Sequence, residues 1–167
     1  MVKTQHIIIA AVLVVTIGIL AAVYLPESEE KKVKKQFDLL SEWVSKDPGE
    51  NAFTMAHKIQ SIGKLFAENC EFKTHIDSLS GSYTPEEISS YAAQGRAQFS
   101  KLSLGFHDLE IDIPQEGTAK VILTGKLTGK STSGEYVDEA HECECVLRKI
   151  EDKWLFSHFE VVEVLKK

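Results

Sequence analysis

The stretch from Ala119 to Leu165, AKVILTGKLTGKSTSGEYVDEAHECECVLRKIEDKWLFSHFEVVEVL, decides the fold. It belongs to strands expected over about 118–128, 136–149 and 153–165, separated by short turns. Successive side chains of a strand point to opposite faces, so a hairpin must set like faces against each other. With the first turn centred on Thr132, Leu127 falls opposite Val137, Leu123 opposite His141 and Val121 opposite Cys143. Lys126 then meets Asp138 and Lys120 meets Glu144 on the other face. With the second turn centred on Glu151, Leu147 falls opposite Leu155, Cys145 opposite Ser157, Cys143 opposite Phe159 and His141 opposite Val161. Both turns predict an apolar face of odd-numbered residues and a charged face of even-numbered ones. Cross-strand charge pairs contribute about 0.2–1 kcal/mol each, which selects register more than it stabilises.

Upstream, a strand over about 102–113 joins the same pattern through a turn at Glu116, with Ile113 opposite Ala119, Ile111 opposite Val121 and Asp112 opposite Lys120. Its apolar positions switch from even (Leu102, Leu104, Phe106) to odd (Leu109, Ile111, Ile113) at Phe106-His107-Asp108, which predicts a β-bulge. Before it, Thr84-Pro85-Glu86-Glu87 announces a helix running to about Phe99, with Thr84 as N-cap, Pro85 at the first helical position and Glu87 closing a capping box. Ser78 to Ser82 reads as a loop, and Cys70-Glu71-Phe72-Lys73-Thr74-His75-Ile76-Asp77 alternates as a strand. A second helix carries Phe53, Ala56, Ile59, Ile62, Leu65 and Phe66 on one side. A first helix carries Val33, Phe37, Leu40 and Val44 and stops at Asp47-Pro48-Gly49. The expected fold is α+β: a strongly curved antiparallel sheet with three helices, all from the N-terminal half, on one face, to which the family resemblance given below adds a cone shape.

The first 26 residues belong to another class. From Ile7 to Leu25 the run IIIAAVLVVTIGILAAVYL has no charge and no polar stripe. As a helix it is roughly 28 Å long, close to the ~30 Å of a bilayer's hydrocarbon core. Tyr24 sits where an interfacial aromatic belongs, and Pro26 ends the helix. The division expected is 1–26 as a transmembrane signal anchor and 27–167 as the soluble domain. The competing reading, a cleaved signal peptide, calls for a shorter apolar core and a small-x-small site, which Leu20-Ala21-Ala22 matches poorly. A short N-tail before one span is the layout that exports the domain; Lys31, Lys32, Lys34 and Lys35 after the span argue for the cytoplasmic side or for contact with anionic headgroups.

A net charge of −6 over 167 residues argues against nucleic acid as a partner. Cys70, Cys143 and Cys145 give an odd count, Cys143-x-Cys145 lacks the spacing of a redox pair, and no second pair is present for a zinc site. All three are expected as small buried hydrophobes. No metal and no cofactor are expected. Gly125-Lys126 and Gly129-Lys130 lack P-loop spacing, no Gly-x-Ser-x-Gly elbow occurs, and His57 is alone on the second helix.

The element order, the bulged long strand after a capped third helix and the closing KWLFSHFEVVEVL strand resemble the nuclear transport factor 2-like superfamily, including its polyketide-cyclase-like members. The resemblance covers about Lys31 to Lys167. It implies a cavity between helices and sheet and, frequently, dimerisation through the outer sheet face. The superfamily holds isomerases, dehydratases, hydrolases, cyclases and non-catalytic binding domains, so the fold alone selects none of them. In the register above the odd face carries Glu139, His141, Ser157 and Glu163, with Glu139 facing Glu163. A carboxylate there with a raised pKa would serve as general base, with His141 as its acid or orienter. Asp108, at the bulge, is a further cavity candidate. The bland alternative places Glu139 and Glu163 in water at the open end of the sheet and makes His141 a wall residue. The even face carries Val146, Trp154, Phe156 and Val162, which is apolar enough for a partner surface. The reading is a membrane-anchored, non-catalytic binding or scaffold domain. Its expected partners are the membrane through 7–25, a second copy or an envelope protein, or a small apolar ligand; the alternative is a cavity enzyme.

Overall fold

The structure, a computed structural model, describes residues 27–74 and 79–164. The expected span over 7–25 and the strand residues His75 to Asp77 lie outside them. Among the described residues no helix is long and apolar enough to cross a membrane.

Three helices, α1 (Glu29–Val44), α2 (Ala52–Gly63) and α3 (Pro85–Ala97), cover one face of a six-stranded sheet. The strands are β1 (Phe66–Lys73), β2 (Gly81–Tyr83), β3 (Phe99–Gln115), β4 (Thr118–Ser131), β5 (Tyr136–Ile150) and β6 (Lys153–Val164), in spatial order β2-β1-β6-β5-β4-β3. The capping box of α3 forms as expected: Glu87 N–H donates to Thr84 Oγ1 and Thr84 N–H to Glu87 Oε2. Two boundaries move. Phe66 opens β1, where it pairs with Phe156, so α2 stops earlier than its apolar stripe suggests. Gly81–Tyr83, read as loop, is a short edge strand on β1. The sheet is also not wholly antiparallel, because β1 runs parallel to β6. The two are far apart in sequence, so no hairpin turn dictates their relative sense.

Register repeats the expected faces along β3 and β4. Ile111 faces Val121 and Asp112 faces Lys120. Between His107 and Glu110 the ladder slips, and Asp108 takes φ +54° at the bulge. Between β4 and β5 the loop is one residue off the expected centre. Val121 faces Cys145, Leu123 faces Cys143 and Lys120 faces Val146. A shift of two residues keeps parity, so the odd side chains Ala119, Val121, Leu123, Cys143, Cys145 and Leu147 all remain buried.

The β5–β6 turn corrects the reading more deeply. Glu151 and Asp152, at φ +48° and +62°, form a two-residue turn, the tight connection that suits strand twist. Leu147 therefore faces Phe156 and Lys149 faces Trp154. Parity flips, and Trp154 (2% exposed) and Phe156 (0%) enter the core instead of the outer face. Ser157 then bulges out of the ladder, which sets Cys145 opposite Phe159 and Cys143 opposite Val161. Beyond the bulge the odd residues again face inward.

Helix α1 lies across the concave side with both ends tied down. At its start Glu29 accepts from Trp154 Nε1 (2.7 Å) and from Lys149 Nζ (3.2 Å). At its end the Ser41 hydroxyl donates to the Leu104 carbonyl, and Leu104 N–H donates to Ser45 Oγ (3.1 Å). Phe37, midway along, packs edge-on against Phe106 (5.3 Å between centroids) and Phe156 (5.0 Å). Such aromatic pairs add about 0.5–1.5 kcal/mol beyond the area they bury.

The helices are joined by Arg96 of α3, which is fully buried. One guanidinium nitrogen donates to the carbonyls of Trp43 (2.6 Å), Val44 (2.6 Å) and Ser45 (2.7 Å) at the C-terminus of α1. The other pairs with Glu50, which also takes Lys58 of α2 (3.0 Å). Burial by itself pushes the Glu50 carboxyl up, but Lys58 and Arg96 hold it below the usual range. Truncation to Met should cost about 3–5 kcal/mol in urea unfolding, because Glu50 keeps its burial and loses its main partner. Arg96→Lys should recover little, since one ammonium cannot reach three carbonyls and a carboxylate in this fork geometry.

The Glu29 tie is visible in pH dependence. Its carboxyl is lowered from 4.5 to about 2, first by the Lys32 hydrogen bond and then by that of Trp154. A depressed folded-state value stabilises above the unfolded value and is lost as pH falls through the folded one. Thermal melts should therefore show wild type losing stability between about pH 4.5 and 2, with that part of the slope flattened in Glu29→Gln.

Candidate functional site

The concave face is built from odd side chains of β4 and β5, the inward residues of β3 and β6, and the helices. Its deep part is apolar. Phe66 packs on Phe156 (5.3 Å) and on Phe72 (5.8 Å), and Phe72 packs on Phe159 (5.9 Å) and Tyr83 (5.7 Å). Toward the far end of β5 the packing thins. There Phe106, Gly125 and His141 sit side by side in register. Gly125 leaves a notch: a Cβ at that position would lie 3.6 Å from Cys143 Sγ and 3.9 Å from Phe106 Cε1.

His141 and Glu139 meet at this rim, with Nε2 3.3 Å from Glu139 Oε2. The His141 side chain is 27% exposed and that of Glu139 is 61% exposed. The imidazole Nδ1 is buried and has no partner within the described residues. Glu139 does not face Glu163 as expected. On β4 it faces Leu127, while on β6 Glu163 stands in register with Glu142, because the two-residue β5–β6 turn and two register shifts along β6 displace the expected pairing. Asp108 is exposed at its bulge and does not enter the cone. Ser157 uses its hydroxyl on the Val146 carbonyl (3.1 Å), closing the bulge it creates. Of the expected cavity residues, then, the fold brings together Glu139 and His141 and separates Asp108 and Ser157 from them.

The three cysteines occupy the apolar interior. Desolvation pushes the Cys70 thiol up to about 12 and that of Cys143 to about 11, and it carries Cys145 well above 9. None is a thiolate near neutrality, which removes them as nucleophiles. Native protein at pH 8 should react with an aromatic disulfide reagent far more slowly than protein unfolded in urea. Fast titration of even one thiol in the native state would contradict this burial. Among the described residues no group of His, Cys, Asp and Glu has the arrangement of a metal site.

The convex face is the second candidate. Of the four residues expected there, Val162 is 39% exposed and Val146 is half-buried, while Trp154 and Phe156 belong to the core. A residue not anticipated takes their place: Ile122, 44% exposed at the centre of β4. The signal for it was present in Val121-Ile122-Leu123, where three apolar residues in a row break strict alternation and must leave one facing outward.

The sequence matches no protein-family profile and no curated protein. Solved structures are similar to it in fold. One, provisionally described as an aromatic ring hydroxylase from Novosphingobium aromaticivorans, aligns with a TM-score of 0.68 at 13% identity over 86% of this chain and 93% of the other. A type 2 hexachlorocyclohexane dehydrochlorinase (LinA) aligns at 0.62 and 10% identity, over 82% and 88%. Rv3472, a protein of unknown function from Mycobacterium tuberculosis, aligns at 0.65 and 12% identity, over 83% and 73%. At these identities the likeness concerns the fold alone: this chain has the nuclear transport factor 2-like fold.

Proposed function

We propose that this chain is a membrane-anchored, non-catalytic binding domain that engages a polypeptide through the convex face of its sheet. The observation that carries the reading is the contrast between the two faces. The concave side is packed with aromatic rings, and its one described acid–base pair, Glu139 and His141, lies at the rim with the carboxylate open to water. A general base works from a site that excludes water, and the Glu139 side chain is 61% exposed. The convex side instead leaves Ile122 and Val162 uncovered. The uncharged run over 7–25 supports tethering to a bilayer, which would present that face to partners close to the membrane.

A photo-crosslinking residue at Ile122, in the full chain and in the membranes of cells that make it, tests this. A discrete adduct is expected at Ile122 and none at Phe53, which is exposed on α2. No adduct at Ile122, or equal labelling at both positions, would remove the reading.

The unpartnered Nδ1 of His141 supports one alternative, a cavity enzyme in which His141 bonds a polar group of an apolar substrate. In that case His141→Ala would abolish turnover without lowering the melting temperature. Under the binding reading the same variant leaves the Ile122 adduct unchanged.

A further inference from the structure

Two register rows cross the convex face. One runs Glu110–Ile122–Glu144–Glu160–Lys73, the other Asp112–Lys120–Val146–His158–Glu71. Carboxylates outnumber lysines five to two in these rows, around an apolar centre of Ile122 and Val146. Lys73 pairs with Glu160 (3.7 Å), and His158 contacts both Glu71 (3.4 Å) and Glu160 (3.2 Å). Glu144 stands directly opposite Glu160, and no cation within the described residues pairs with Glu144. Like charges placed opposite each other destabilise a sheet. Nothing in the fold requires a glutamate at this exposed position.

We infer that the convex face docks a basic polypeptide segment, whose Lys or Arg side chains bridge Glu144 and Glu160 while its apolar residues cover Ile122 and Val146. The inference rests on the binding reading above and specifies the partner's chemistry. It favours a basic segment over a second copy of this chain as occupant. A twofold contact sets a patch against itself, which would stack these acidic rows on one another. The chain's own uncharged 7–25 run is disfavoured as well, since it has no cation to offer Glu144.

The test uses the Ile122 crosslink together with a defined probe, an extended peptide of alternating Lys and Leu, and its Glu/Leu counterpart. The full chain in detergent should bind the Lys/Leu peptide, with amide shifts centred on β4, β5 and β6, and should ignore the Glu/Leu one. Glu144→Lys with Glu160→Lys should weaken peptide binding by about tenfold or more. The same pair of changes should abolish the membrane adduct. Glu144→Gln with Glu160→Gln is the milder version should the charge reversal disturb folding. Glu144→Lys alone should raise the melting temperature slightly, because it relieves the opposed pair. Ile122→Asp keeps the acidity and removes the apolar centre, and it should also weaken binding. An adduct of twice the chain's mass, or one indifferent to the Glu144 and Glu160 changes, overturns the basic-partner inference and leaves the binding reading standing. Absence of any adduct overturns the binding reading itself.

Discussion

Arg96 carries a full charge into the interior, and the helical layer is arranged around keeping that charge satisfied. Its guanidinium takes the last carbonyls of α1, which the helix cannot satisfy itself, and balances its charge on Glu50. Lys58 reaches the same carboxylate from α2, and Lys46 bonds the carbonyls of Arg96 (3.1 Å) and Phe99 (2.7 Å) where α3 passes into β3. Each of these groups would be costly to bury alone. Together they tie the end of α1 to α2 and α3, with the Arg96 Nε left as the one buried nitrogen of the guanidinium that has no partner among the described residues.

Two of the sheet's register shifts turn side chains toward that layer. The first, at Asp108, turns β3 so that Phe106 on one side and Leu109 on the other both face the helices. The second, at Ser157, lets β6 send Trp154 and Phe156 inward near the turn and Phe159 and Val161 inward beyond it. Without the extra residue, half of β6 would show its aromatic side chains to water. Trp154 then reaches past the core to Glu29, so the same turn that flips β6 also fastens the start of α1.

These devices separate the two faces chemically. The concave face is occupied by rings down to the rim, where Gly125 and His141 leave an opening. Among the described residues no helix lies over the convex face, and carboxylates outnumber lysines in its two central rows. The fold alone does not select which surface is used. In this chain the acid–base pair lies where water reaches it, and among the described residues the opposed carboxylates Glu144 and Glu160 stand in register beside the exposed Ile122.

Much was legible from local rules. Helix α3 follows from Thr84, Pro85 and Glu87, and the β3 bulge from the switch at Phe106-His107-Asp108, because caps and pleats depend only on neighbouring residues. The odd-numbered core of β4 and β5 survived a turn placed one residue wrong, since a two-residue register shift leaves parity intact. The inner face of β6 did not survive. A turn of two residues rather than three reverses the side chains after it as far as the Ser157 bulge, and nothing in Lys149-Ile150-Glu151-Asp152-Lys153 distinguishes the two lengths. Only packing does, by placing Trp154 against Glu29 and Phe156 against Phe37. The Arg96–Glu50 pair was invisible for a related reason: 46 residues separate the partners, and their meeting depends on how whole helices stack. Periodicity along the chain determined which residues could be buried together, and contacts between distant segments decided which of two equally periodic faces was turned inward.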